Sequence, residues 1–222
     1  IPDSYSESPD LAARVEAGEL PPIEERIGRQ PLVIQPVHEI GQYGGNWRRA
    51  FTGPSDVENM NRIMSSDRLL FRDYIGEDIV PMLALDWELS DDGRVTTIYL
   101  REGLHWSDGQ PFTSADFEFW WEHLYNNEEV VGIKSTETAI DGQQGFLETE
   151  GDYIVRYVFP EPYPFFPQVL ASHTHVGNGH TGSGHRFTAL YAPGHYLQQF
   201  HPAFIGQEEA DALASDAGYD NW

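Results

Sequence analysis

Residues Leu83 to Tyr125, LALDWELSDDGRVTTIYLREGLHWSDGQPFTSADFEFWWEHLY, read without a break as hairpin, turn and capped helix. Leu85 to Leu89 and Val95 to Leu100 are short β-prone runs. Between them Ser90-Asp91-Asp92-Gly93 supplies the Asp-Gly pair that tolerates positive φ in a tight turn, which predicts an antiparallel hairpin. Asp108-Gly109 turns the chain again. Thr113 is then placed to cap a helix starting near Ser114, with Asp116 as the reciprocal member of a capping box and Phe112 and Phe117 spaced as a hydrophobic staple. Along that helix Phe117, Trp120, Trp121 and Leu124 recur at i, i+3, i+4 and i+7, so one face is apolar and is expected to lie on a sheet. Core packing is the first explanation of such an aromatic stripe; a ring lining a ligand cleft is the second.

Outward from this stretch, Ser8-Pro9-Asp10 starts a short helix with Ser8 as cap and Gly18 as stop. Pro21, Pro22 and Pro31 punctuate a linker, and Leu32 to Val37 reads as an extended segment able to join a sheet. In Gly41-Gln42-Tyr43-Gly44-Gly45-Asn46-Trp47 paired glycines permit unusual backbone angles. Ser55 to Glu58 has the S-x-x-E pattern of another capped helix running through Ile63 and Met64, and Leu69 to Phe71 looks like a strand. Asn126 to Asp141 is polar and weakly patterned, as expected of a surface helix end followed by a loop. A second hairpin is predicted from Phe146-Leu147, the Glu150-Gly151 turn and Tyr153 to Phe159, whose Tyr153, Val155, Tyr157 and Phe159 share the inward face. Phe165 to Ala171 should be a short apolar helix.

The chain has 222 residues, enough for one large or two small domains, and 40% of them are hydrophobic, which suffices for a core. Thirty-six acidic residues stand against 13 basic ones; the net charge of −23 repels nucleic acid and anionic lipid alike. With zero cysteines, disulfides, thiolate metal sites and cysteine nucleophiles are excluded. No run approaches the roughly 20 apolar residues that span a bilayer as a helix.

The segment Ser172 to His185 holds four histidines among glycines. On a strand His173 and His175 would point the same way and could share a metal with His180 or His185, but no carboxylate partner is evident nearby. A flexible loop near a cleft or hinge is the preferred reading, and no metal is assigned. Gly177-x-Gly179-x-x-Gly182 matches the dinucleotide fingerprint in form only, because neither the preceding strand nor the following apolar helix is present in the pattern. H-E-x-x-H, G-x-S-x-G and the phosphate-binding P-loop do not occur.

Ala84, Trp87, Ser90 to Gly93, the strand ending Leu100-Arg101, Gly103, Trp106-Ser107-Asp108-Gly109, Pro111-Phe112-Thr113 and Asp116-Phe117 together resemble the signature of family 5 extracellular solute-binding proteins. Fainter likeness runs from about Gln30 onward, including Tyr191-Ala192-Pro193-Gly194-His195-Tyr196-Leu197 and Phe200-His201-Pro202, which look like a segment of the longer members. The resemblance implies an α/β fold with a mixed α+β insert, part of a two-lobed periplasmic-binding-protein-like fold of type II, with this chain as an N-terminal portion. By that likeness residues 1–31 are an arm and linker, 32–50 and 165–222 belong to the main lobe, and 51–164 form an inserted subdomain.

The same resemblance implies a non-enzymatic function: capture of an oligopeptide or oligosaccharide for an ABC permease, in the periplasm or outside the cell, free or lipid-anchored, as a monomer and with no cofactor. Tyr43, Trp47, His173 and His175 are the candidate ligand contacts, since the glycine-rich stretches that carry them suit a cleft wall. Rival readings are a secreted glycan-active or metal-dependent hydrolase and a cell-surface interaction module.

Overall fold

A computed structural model of the chain describes residues 4–50, 52–53, 56, 67–172, 176–177 and 190–222. The N-terminal arm contains α1 (Pro9–Glu16) and α2 (Ile23–Arg26). Ser8 caps α1 by accepting from the Leu11 N–H at 3.3 Å, and Pro9 occupies the first turn, where its missing N–H goes unneeded. Leu32 to Val37 joins no sheet, contrary to the sequence reading. Ile34 is 75% exposed, and among the described residues no strand lies beside this β-prone sequence for it to pair with. The capping-box segment Ser55 to Glu58 and its continuation through Met64 lie outside the described residues apart from Asp56.

Strands β1 (Leu70–Arg72) and β2 (Ile79–Pro81) pair antiparallel and lead into the main sheet. That sheet has the order β3-β4-β8-β7, with β3 (Ala84–Leu89), β4 (Val95–Leu100), β7 (Phe146–Glu150) and β8 (Ile154–Val158) all antiparallel. Each predicted hairpin is present, and the two join through β4 and β8. Gly93, at φ +68°, closes the first turn, and its N–H donates to the Ser90 carbonyl at 2.8 Å. A register shift between Ala84 and Asp86 puts Leu85 outside the pleat, so Trp87 returns to the inner face opposite Ile98. Inner positions Ile98, Leu100, Val155 and Tyr157 are buried, as the alternation requires. Between the hairpins, β5 (Ala139–Ile140) and β6 (Gln143–Gln144) form a small ribbon.

Helix α3 (Ser114–Phe119) covers the inner face of this sheet. The capping box forms in both directions: Thr113 Oγ1 accepts from the Ala115 N–H at 3.3 Å, and Asp116 accepts from the Thr113 N–H at 2.9 Å. Phe112 and Phe117 meet edge to face at 5.7 Å, completing the staple. Beyond Phe119 the helix widens into a π-helical turn over Trp120–Tyr125, which the 3.6-residue spacing did not anticipate. The wider turn rotates the apolar stripe. Trp120 and Tyr125 are buried while Trp121 and Leu124 are half-buried, and Tyr125 stacks on both tryptophans at 4.7 and 5.1 Å. The Tyr125 hydroxyl, sunk in the core, meets Thr138 and Gln144.

The expected helix after the second hairpin is α4 (Phe166–Leu170), with Phe166 wedged among Tyr157, Phe159 and Tyr163. The C-terminal region is helical: α5 (Gly194–Leu197), a 3-10 turn (Gln198–Phe200), α6 (Pro202–Ile205) and α7 (Gln207–Asp216). Among the described residues no helix is long and apolar enough to cross a membrane.

Candidate functional site

The two stretches that carry the family resemblance converge on one place. Residues Leu104 to Phe112 fold back on themselves, with the Phe112 N–H donating to the Leu104 carbonyl at 2.9 Å, Trp106 to Gln110 at 2.8 Å and Gly109 to Trp106 at 2.9 Å. Against this loop lies the segment opening α5, anchored where the Ala192 N–H donates to the Asp116 carbonyl at 3.0 Å. Trp106 sits between them, 5.7 Å from the Phe112 ring, 6.1 Å from Tyr191 and 6.2 Å from His195. Gly194 is required here, since a Cβ would lie 2.9 Å from Phe119 Cγ.

Asp116 is the hub of this junction. Besides capping α3, its carboxylate faces the Trp106 indole and the Gly194 backbone N–H. Burial nevertheless pushes the carboxyl above its ordinary range, against the pull of these donors. Asp116 therefore serves the helix cap through its carboxylate and the C-terminal segment through its backbone carbonyl. At the rim His195 Nε2 meets Asp108 Oδ2 at 2.8 Å. The Gln110 backbone N–H and then His195 hold the Asp108 carboxyl below its usual range.

Between loop and sheet opens a concavity of about 260 Å³. Leu83, Leu104, Trp106, Phe112 and Tyr191 give it apolar walls, and Asp67, His105 and Ser107 give it polar ones. Tyr191 is held by donating its hydroxyl to the Asp67 carbonyl. Among the described residues no arginine or lysine lines the concavity.

The site residues expected from sequence do not gather here. Tyr43 and Trp47 lie in the segment before the sheet at 63% and 78% exposure, and Tyr43 donates to the Ser6 carbonyl at 3.4 Å. His173 and His175 lie outside the described residues. Among the described residues no group of three histidine or carboxylate side chains is arranged to hold a metal. Trp106, Asp116 and Tyr191 went unflagged as site residues. Their signal was present in the two motifs, which nothing local in the sequence joins.

The mixed sheet-and-helix fold in which these two motifs meet is that of the periplasmic-binding type, as known proteins show. The model of the bacterial extracellular solute-binding proteins, family 5, middle region, matches residues 78–220, and the chain belongs to that family. It is 27% identical to the periplasmic alpha-galactoside-binding protein of Rhizobium meliloti (strain 1021) over 217 residues, covering 86% of this chain and 29% of that protein. A solved structure of an oligopeptide-binding protein, OppA, superposes with a TM-score of 0.77 at 38% identity, covering 94% of this chain and 30% of that one. The periplasmic binding protein MelB of Agrobacterium fabrum C58, solved with stachyose, gives a TM-score of 0.63 at 25% identity, covering 91% of this chain and 31% of that one. Both solved neighbours are type II periplasmic binding proteins of mixed α/β content, the fold class expected from sequence. The chain thus spans a little under a third of the length of these relatives.

Proposed function

We propose that the protein is the solute-capturing component of an ATP-driven importer, taking up an oligopeptide or an oligosaccharide in the periplasm or outside the cell and delivering it to an ABC permease. The observation that carries this reading is the family match over residues 78–220, which takes in both stretches that build the Trp106 junction. The names of the relatives support both solute classes, sugar and peptide. In this reading residues 1–31 are an arm, 32–50 and 165–222 contribute to the main lobe, and 51–164 form a subdomain inserted into it. The exposed Tyr43 and Trp47, with His173 and His175, are held in reserve as contacts of the first lobe. The solute lies in a cleft whose second wall comes from sequence corresponding to the rest of a relative's length.

A cleft binds a small ligand tightly only when both walls bury it. Residues 1–222 alone should therefore bind the transported solute at least about a hundredfold more weakly than a protein of the relatives' length, about 2.8 kcal/mol at 1.4 kcal/mol per tenfold. Mass spectrometry of the solute that co-purifies with the longer protein, followed by calorimetry on both, tests the reading. Equal affinities would place the whole site within these residues and sink the two-lobe assignment.

A further inference from the structure

We propose that Asp141 is a site of spontaneous covalent modification, at which the link to Gly142 passes through a succinimide and Asp141 becomes isoaspartate in the folded chain. The sequence holds three Asp-Gly pairs, Asp92-Gly93, Asp108-Gly109 and Asp141-Gly142. Glycine, with no Cβ, hinders least the attack of its own nitrogen on the preceding side chain. That attack needs the glycine N–H free and the Asp carboxyl free to turn onto it.

The structure blocks both groups at two of the pairs. The Gly93 N–H donates to the Ser90 carbonyl at 2.8 Å and the Gly109 N–H to the Trp106 carbonyl at 2.9 Å. Asp92 Oδ1 accepts from the Ser90 hydroxyl at 2.6 Å and the Arg94 N–H at 3.1 Å. Asp108 Oδ1 accepts from the Gln110 N–H at 3.0 Å, and its Oδ2 meets His195 at 2.8 Å. These partners hold both carboxyls below their ordinary range, so the protonated acid that releases water is scarcer there.

Asp141-Gly142 is different. Both residues are exposed, and among the described residues neither the Gly142 N–H nor the Asp141 carboxylate has a hydrogen-bond partner. The pair is the two-residue turn joining β5 to β6, with φ +49° at Asp141 and +75° at Gly142. Asp141 is the one residue other than glycine at positive φ among the described residues. The ribbon it closes is only two residues long on each strand, too short to be stable by itself, so the turn opens readily.

In the first step the Gly142 nitrogen attacks Cγ of the protonated Asp141 carboxyl. The N–Cγ bond forms, and the amide proton and the carboxyl hydroxyl leave as one water. Water then opens the ring. Cleavage between the Gly142 nitrogen and the Asp141 backbone carbonyl carbon leaves the chain running through Cγ, as isoaspartate; cleavage of the N–Cγ bond returns aspartate. Isoaspartate lengthens the backbone by one carbon, which breaks the pairing of Ile140 with Gln143. The change falls beside Gln144, whose side chain meets the Tyr125 hydroxyl at 3.3 Å and Thr138 at 3.0 Å.

The test incubates the 222-residue chain, folded and in urea, in heavy-oxygen water at mildly acidic pH and maps its peptides over time. Isoaspartate is read by electron-transfer fragmentation and by labelling with an isoaspartate methyltransferase, and incorporated heavy oxygen counts passages through the succinimide. In the folded chain isoaspartate should accumulate at Asp141 at least about tenfold faster than at Asp92 or Asp108, a factor that one net hydrogen bond already supplies. In urea the three pairs should react at similar rates, which separates the effect of structure from that of the dipeptide. Asp141→Glu, which could close only a larger ring, should lose the signal at this position. Mapping keeps Asn178-Gly179 apart, since its succinimide forms with loss of ammonia. The proposal is overturned if Asp92 or Asp108 isomerises as fast as Asp141 in the folded chain, or if Asp141 stays unchanged there while it reacts in urea.

Discussion

His201 is joined to the carbonyl oxygen of His123 by its Nε2 at 3.0 Å, across a sequence separation of 78 residues. Its Nδ1 accepts from the Ala203 N–H at 3.1 Å, capping α6, so the ring has to be the neutral tautomer that carries its proton on Nε2. Phe119, Phe204 and Trp222 pack around it, with His123 itself 5.4 Å away ring to ring. Desolvation by this packing is the chief cause that lowers the imidazole's pKa; the nearby His123 adds to it, and the bond to the His123 carbonyl opposes it. A depressed pKa means that the unfolded chain binds the proton more readily. The stabilisation from His201 is accordingly complete above the ordinary histidine value near 6.5 and is lost as the pH falls from there through the folded value. Urea titrations of the parent and of His201→Ala between about pH 8 and 5.5 should show a gap of roughly 1–2 kcal/mol that narrows with acidification. A gap independent of pH would refute the assigned tautomer.

Asp116→Ala should be the most damaging single change at the Trp106 junction. It removes the acceptor of the Thr113 N–H and the carboxylate that the Trp106 indole and the Gly194 N–H face, and leaving a buried donor unpaired costs about 1–3 kcal/mol, less whatever water recovers. Thr113→Ala removes one acceptor from one helix end and should cost about 1 kcal/mol. Chemical denaturation of the two variants checks the ranking, and equal losses would show that Asp116 acts only as a cap.

Arg68 is 3% exposed, and its Nε and one terminal nitrogen have no hydrogen-bond acceptor among the described residues, although the guanidinium lies over the Phe71 ring at 5.4 Å. Burial lowers its pKa, as expected when a charge is desolvated without a partner. Arg68→Met keeps the aliphatic stem and removes the unpaired charge, so the variant should be more stable by on the order of 1 kcal/mol. A drop in the denaturation midpoint of Arg68→Met would mean that the guanidinium has an acceptor in solution.

Arg101, 7% exposed, is the clasp of the N-terminal arm. Its guanidinium donates to the carbonyls of Met82 at 2.9 Å, Gln30 at 3.0 Å and Pro31 at 3.2 Å. Nearby, Gly28 lies so close to Gly103 that a Cβ would stand 2.6 Å from the Gly103 oxygen. Lysine lacks the planar fork that reaches several acceptors together. Both Arg101→Ala and Arg101→Lys should therefore free the arm, at a cost of about 2 kcal/mol for the alanine, and speed proteolytic cutting between residues 27 and 50 while the sheet stays protected. Cutting at the parental rate would show that the arm is held elsewhere.

What the sequence determined by itself is local. The Asp92-Gly93 turn, the Thr113–Asp116 box, the Phe112–Phe117 staple and the inward set Val155, Tyr157 and Phe159 all follow from interactions within a few residues, where propensity and periodicity act directly. Even there one departure arose from packing. Trp120 and Tyr125 are both buried through a π-helical turn, a register that no α-helical count along the chain contains. Leu32 to Val37 shows the reverse: a β-prone run is not a strand until another strand lies beside it. The candidate site depended wholly on tertiary structure. His195 meets Asp108 across 87 residues, and Trp106 faces Tyr191 where the Ala192 N–H bonds the Asp116 carbonyl. Motifs can be read from sequence one at a time, but their meeting is a non-local contact, settled when the core buries and the chain between them closes.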